Sequence, residues 1–180
     1  MRKSVMAVIT VCCLGLAVFI AGTRAQQDKS KRPSPPASTK IDLGGKSVSI
    51  DYSSPRAKGR TIYGGLVPYG QVWRTGANES TTLTTAAMLM VGSAHVPPGT
   101  YTLFTIPEKD KWTLIISKKT GEWGTEYPGK ENDLARVDMK VSALPAAVEN
   151  FTITLEKAGN GANLNIDWAT TRASVPVSAM

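Results

Sequence analysis

Phe151-Thr152-Ile153-Thr154-Leu155-Glu156, then Gly159-Asn160-Gly161, then Asn163-Leu164-Asn165-Ile166-Asp167-Trp168 follow one another within eighteen residues of this chain. Apolar and polar side chains alternate in both outer stretches. A period of two puts Phe151, Ile153 and Leu155 on one face of an extended chain, and Leu164, Ile166 and Trp168 on one face of the next. That is the pattern of half-buried antiparallel strands. The Asn-Gly pair between them suits a tight turn with positive φ, so the unit reads as a hairpin. The same alternation recurs upstream, where Val48, Ile50 and Tyr52 interleave with Ser47, Ser49 and Asp51. Residues 100–106 and 112–116 are more apolar and are joined by the short polar segment Pro107-Glu108-Lys109-Asp110-Lys111, a second hairpin. No segment of ten or more residues carries a 3.6-residue period, and residues 131–137 are too few for more than a turn or two of helix. The spacing of strands and of glycine and proline predicts an all-β fold, a single antiparallel β-sandwich or partly closed barrel without internal repeats.

Between these strands lies Gly59-Arg60-Thr61-Ile62-Tyr63-Gly64-Gly65-Leu66-Val67-Pro68-Tyr69-Gly70-Gln71-Val72-Trp73-Arg74-Thr75-Gly76-Ala77-Asn78-Glu79. It is too rich in glycine for a helix interior and too aromatic for an ordinary solvated loop. Such a loop folds over itself and displays chosen side chains. Together with Tyr52-Ser53-Ser54-Pro55, Pro98-Gly99-Thr100-Tyr101-Thr102-Leu103-Phe104-Thr105-Ile106-Pro107, Trp112-Thr113-Leu114-Ile115-Ile116 and Trp123-Gly124, it resembles the secreted bacterial family called domain of unknown function 2911. The resemblance covers roughly residues 52–168. It implies a small β-rich domain and brings no established activity with it.

The chain opens with Arg2 and Lys3, an apolar or small stretch from Val5 to Ala21, and Thr23-Arg24-Ala25, the layout of a secretory signal peptide cut near residue 25. The expectation is an exported protein, periplasmic or extracellular, with no stable membrane insertion after cleavage. Both cysteines, Cys12 and Cys13, fall inside that segment, so the mature chain would hold neither a disulfide nor a thiol. Residues 26–40 contain Pro33, Pro35, Pro36 and four Lys or Arg and no apolar side chain larger than alanine. Such a composition buries too little surface to offset chain entropy, and a disordered tether is expected there, followed by the β domain over residues 41–175.

The formal charge is +7, from 21 basic and 14 acidic residues. Most of the excess lies before residue 41; beyond it stand 14 basic and 13 acidic residues, a net of +1. A nucleic-acid binder concentrates positive charge on its folded domain, and none is expected as a partner. His95 is the single histidine and sits at a turn, so a histidine-based triad and a zinc site are both disfavoured. No phosphate-cradling glycine loop leads into a helix, and neither cofactor nor metal is expected.

What remains is the loop. Arg60, Tyr63, Tyr69, Trp73, Arg74, Asn78 and Glu79 are the candidate ligand-binding residues, aromatic faces to receive a ligand and polar groups to orient it. As consecutive residues of a strand, Trp73 would point inward, and Arg74 outward or into a cleft. The ligand or partner would be an unknown small molecule, a glycan or an envelope protein, bound by a non-enzymatic module. A carboxylate-dependent hydrolase using Glu79, perhaps paired with Glu122, Glu126 or Glu131, is the alternative. A purely structural loop, with Arg74 paired to Glu79 and Asn78 bonded to loop backbone, is the third.

Overall fold

The structure, a computed structural model, describes residues 28–123 and 126–180. The expected signal segment and both cysteines lie outside these residues. Among the described residues, nine strands form one antiparallel sheet: β1 (Pro36–Leu43), β2 (Lys46–Ser53), β3 (Thr82–Thr85), β4 (Leu89–Val91), β5 (Ala94–Val96), β6 (Gly99–Ile106), β7 (Lys111–Ser117), β8 (Asp133–Ala158) and β9 (Gly161–Ala179). Their order is β1-β2-β3-β6-β7-β8-β9-β4-β5. The sheet is not closed, but β1 at one end packs on β8 and β9, and β5 at the other end reaches β8. The sheet therefore curls around a single core, as the all-β reading requires.

The hairpin that decides the fold is β8–β9, in register from Thr152↔Asp167 to Ala158↔Gly161. Its turn residues are Gly159 and Asn160, and the positive φ falls on Gly159 at 56°, one place earlier than the Asn-Gly pair suggests. A two-residue turn with glycine first matches the twist of the flanking strands. Phe151, Ile153 and Leu155 face the core with Leu164, Ile166 and Trp168, as alternation demands. The opposite face of β9 is covered as well: Asn165 and Asp167 are buried. They are satisfied there, because the Ser174 hydroxyl donates to Asn165 Oδ1 at 2.7 Å and Arg172 holds both Asp167 oxygens at 2.8 and 2.6 Å. The β6–β7 hairpin is also where the sequence puts it, in register from Thr102↔Ser117 to Ile106↔Thr113.

The N-terminal boundary is corrected. Residues 36–40, expected in a tether, form the first half of β1, paired with β2 from Pro36↔Ser53 to Leu43↔Lys46. Ahead of it, Lys29–Lys31 make a turn of 3-10 helix. An edge strand needs little apolar surface of its own, since the ladder satisfies its backbone and its neighbours supply the core. Here Leu43 is fully buried, Ala37 and Ile41 pack on the core, and the Leu155 amide of β8 donates to Thr39 Oγ1 at 3.2 Å. At the other end, β9 runs to Ala179, so residue 175 also lies inside a strand. β8 is longer than any alternation indicates. Residues 133–140 pair with β7 and residues 140–158 with β9, and register shifts around Val148 interrupt the β8–β9 ladder.

Candidate functional site

The long loop leaves β2 at Ser53 and rejoins the sheet at Thr82. Its first part runs beside the irregular middle of β8. The Ser54 amide donates to Pro35 O, its hydroxyl to Phe151 O at 2.7 Å, the Phe151 amide to Pro55 O, and the Ala57 amide to Glu149 O at 2.8 Å. Residues 57–60 then make a four-residue turn, with the Arg60 amide bonded to Ala57 O and both Lys58 and Gly59 at positive φ (50° and 68°). That is the type I′ pattern, which glycine adopts freely and lysine does not. The Glu149 carboxylate accepts from the Lys58 amide at 2.9 Å and anchors the unfavourable residue.

Two arginines of this turn are fixed by backbone oxygens. Arg56 Nη1 donates to the Ser54 carbonyl and hydroxyl at 2.9 and 2.8 Å. Arg60 donates through Nε to Ala57 O at 3.0 Å and through Nη2 to Arg56 O. The chain next doubles back over residues 61–67, where Val67 bonds to Ile62 and Gly64 to Val67. It docks on the far half of β6 through the reciprocal pair Trp73–Thr105, at 2.7 and 2.9 Å. Beyond Trp73 the path is not a strand. Thr75 is fully buried at φ 55°, a strained conformation for a β-branched residue. The Thr105 hydroxyl beside its own, at 3.1 Å, and the Thr81 hydroxyl donating to its carbonyl, at 2.7 Å, hold it.

Trp73 enters an aromatic cluster. It stacks on Trp168 and meets Phe151, Tyr63 and Trp112 edge to face, at ring distances from 5.2 to 6.4 Å. Its exposed side and Arg74 line the same cleft of about 300 Å³, together with Ser34, Pro55, Arg60, Leu66, Val67, Gly76, Ala77 and Trp168. As expected of this pair, Trp73 packs on the core and Arg74 lines a cleft, although Trp73 also keeps an edge on that cleft. Arg74 donates to Gly76 O at 3.3 Å and not to Glu79. A second cavity of about 300 Å³ adjoins the first, sharing Ser34 and Arg60 and completed by Pro33, Arg56 and Lys58.

The remaining candidates divide. Tyr63 lies in the aromatic cluster beneath the cleft, and its buried hydroxyl has no partner among the described residues. Burial, then the charges of Asp167 and Tyr69, push that hydroxyl far above its usual range. Tyr69 lies on the surface, its ring against Gly64. Asn78, at φ 55°, donates to Ser34 O at 2.8 Å, so it acts on the cleft by holding the N-terminal segment that walls it. Glu79 is outside the cleft. Its Oε1 lies 2.9 Å from both Lys29 Nζ and Arg32 Nη1. Burial raises its pKa, but hydrogen bonds from Lys29, its own amide and Arg32 outweigh this and hold it at about 2. A carboxylate so firmly ionised is poorly matched to a general-acid role near neutral pH. Glu122 pairs with Lys119, and Glu79 has cations, not a second acid, on its carboxylate.

Sequence reasoning passed over Arg56, just before the turn, Lys58, within it, and Ser34, which lay in the expected tether. Lys58-Gly59 carried a usable signal, since glycine in the second place of a tight turn fixes how its neighbours project.

A family model described as a protein of unknown function (DUF2911) matches residues 34–177. The chain belongs to the DUF2911 family. No curated protein and no solved structure matches it. The DUF2911 match begins just before β1 and ends inside β9, so it spans the sheet and the whole loop that forms the cleft.

Proposed function

We propose that this DUF2911 protein is an exported, non-enzymatic binding module of the bacterial cell envelope that receives a small ligand in the cleft between Trp73, Trp168, Leu66 and Arg74. One observation carries the reading: a cleft of about 300 Å³ combines exposed aromatic and apolar surface with guanidinium groups that have no carboxylate partner among the described residues. Small-molecule sites are concave, mostly apolar and furnished with a few placed polar groups. Strain at Thr75, next to Arg74, belongs to the same picture, because backbone outliers gather where a side chain must be aimed. Support for export comes from the charged start, apolar run and small-residue end of residues 1–25.

Tryptophan fluorescence tests the binding reading, since Trp73 and Trp168 both line the cleft. Titration of the purified protein with small aromatic compounds should change its emission saturably, and Trp73→Ala should abolish that change. An emission indifferent to every aromatic probe would overturn the reading. Mass spectrometry of the native protein tests export: a chain starting at Met1 in a membrane fraction would overturn it.

A further inference from the structure

We propose that the ligand of this cleft is amphipathic and anionic: a planar or apolar body against Trp73 and Leu66, and a carboxylate or phosphomonoester group in the adjoining cavity among Arg56, Lys58 and Arg60. The inference rests on the binding reading above and adds the chemical class. The two cavities are continuous in their lining, since Arg60 and Ser34 face both. One is aromatic and apolar. The other is lined by three cationic residues, a proline and a serine, with no acidic residue among them.

Like charges gathered on one small concavity repel one another, and surface cations ordinarily relieve this through nearby carboxylates. The other arginines among the described residues do so: Arg32, Arg136 and Arg172 all lie within 4 Å of an acid. Among the described residues Arg56, Lys58, Arg60 and Arg74 do not. Glu149 is the acid that touches the turn, and its carboxylate is bound to the Lys58 amide. Because residues after 40 are nearly neutral in sum, the cationic excess here is local.

The arginines are also aimed. Backbone oxygens hold Arg56 and Arg60, and each guanidinium keeps N–H groups beyond those spent on its anchors. Guanidinium groups fixed in advance lose little freedom on meeting a planar or tetrahedral oxyanion, which they bind through paired hydrogen bonds. The type I′ turn of residues 57–60 explains the arrangement, because its two left-handed residues bring Arg56, Lys58 and Arg60 to one rim.

Benzyl alcohol, benzoate, phenyl phosphate and inorganic phosphate, titrated by tryptophan fluorescence and by thermal shift, test the proposal. At low salt benzoate or phenyl phosphate should bind about tenfold tighter than benzyl alcohol, as charge-assisted hydrogen bonds dictate. Lys58→Gln keeps the Lys58 amide and its bond to Glu149, so the fold is retained. It should weaken the anionic probes about fivefold and leave benzyl alcohol unchanged. High salt should erase the same advantage in the unmodified protein, which gives a readout independent of any variant. A preference for benzoate assigns a carboxylate ligand, and a preference for phenyl phosphate assigns a phosphomonoester. Equal binding of benzyl alcohol and both anions overturns the anionic half and leaves the aromatic cleft standing. Inorganic phosphate binding as tightly as phenyl phosphate overturns the two-part ligand. No response to any of the four overturns the binding reading and this inference together.

Discussion

Trp73 lies parallel to Trp168, with ring centroids 6.0 Å apart and planes 15° from each other. Trp168 belongs to the sheet and is fully buried, whereas Trp73 belongs to the loop and keeps one side on the cleft. This contact joins the candidate site to the core. Trp73→Ala should therefore cost stability as well as binding, about 3 kcal/mol in urea unfolding, the low end of large-to-small aromatic substitutions because Trp73 is only partly buried. Arg74→Ala, whose single intramolecular bond is long, should cost under about 1 kcal/mol. The reverse ranking would show that Arg74 is the structural member of the pair.

Glu79 ties residues 29–32 to the loop, and its pKa sets where that tie fails. The folded value of about 2 lies below its ordinary 4.5. The interaction is thus fully present above about pH 4.5 and is lost as the pH falls towards 2. Because the carboxylate is partly exposed, its whole contribution should be about 1 kcal/mol or less. Protection factors of residues 28–34, corrected for the intrinsic pH dependence of amide exchange, should fall on acidification before those of the β8 and β9 core do. Glu79→Gln should produce the same fall at pH 7, and protection unchanged in that variant would refute the tie.

Tyr63→Phe removes a hydroxyl that is buried without a partner among the described residues. A lost hydrogen bond normally costs stability, but here no bond is lost and a desolvated polar atom disappears. The variant should be as stable as the parent, or more stable by up to about 1 kcal/mol. A clear drop in the urea midpoint would mean that the hydroxyl is bonded, for example to a trapped water.

Glu149→Ala deprives the Lys58 amide of its acceptor while leaving intact the Glu149 carbonyl, which accepts from Ala57 and from the Trp168 indole. Lys58 would then sit at φ 50° with water as its only partner. A loss of about 1 kcal/mol is expected, along with weaker binding of any anionic probe, since the 57–60 turn would no longer hold the rim residues in place. Unaltered anion binding would show that the turn is fixed without Glu149.

Much of the fold was legible because alternation reports burial directly. In β2 and the β8–β9 hairpin the apolar side chains face one core, and a period of two is visible without knowing the partner strand. β6 and β7 instead read as apolar runs, because Phe104 and Ile115 are buried outside that core cluster. The strands that stayed hidden are those whose stability comes from elsewhere. β1 is polar at its start and is ordered by the β2 ladder; β3, β4 and β5 are three or four residues long; the end of β9 interleaves small and polar residues.

The site divides along the same line. Residue chemistry by itself singled out the run from Gly59 to Glu79, and with it Arg60, Trp73 and Arg74, which meet at one cleft. Only the tertiary structure decided that Glu79 turns away to Lys29 and Arg32, that Ser34 closes the cleft, and that Arg56 and Lys58 extend it. The reason is physical. Composition and period fix what a side chain can offer and which face of its own strand it takes. Where Glu79 finds its cations is set by contacts between segments more than forty residues apart, and those distances exist only once the sheet has curled.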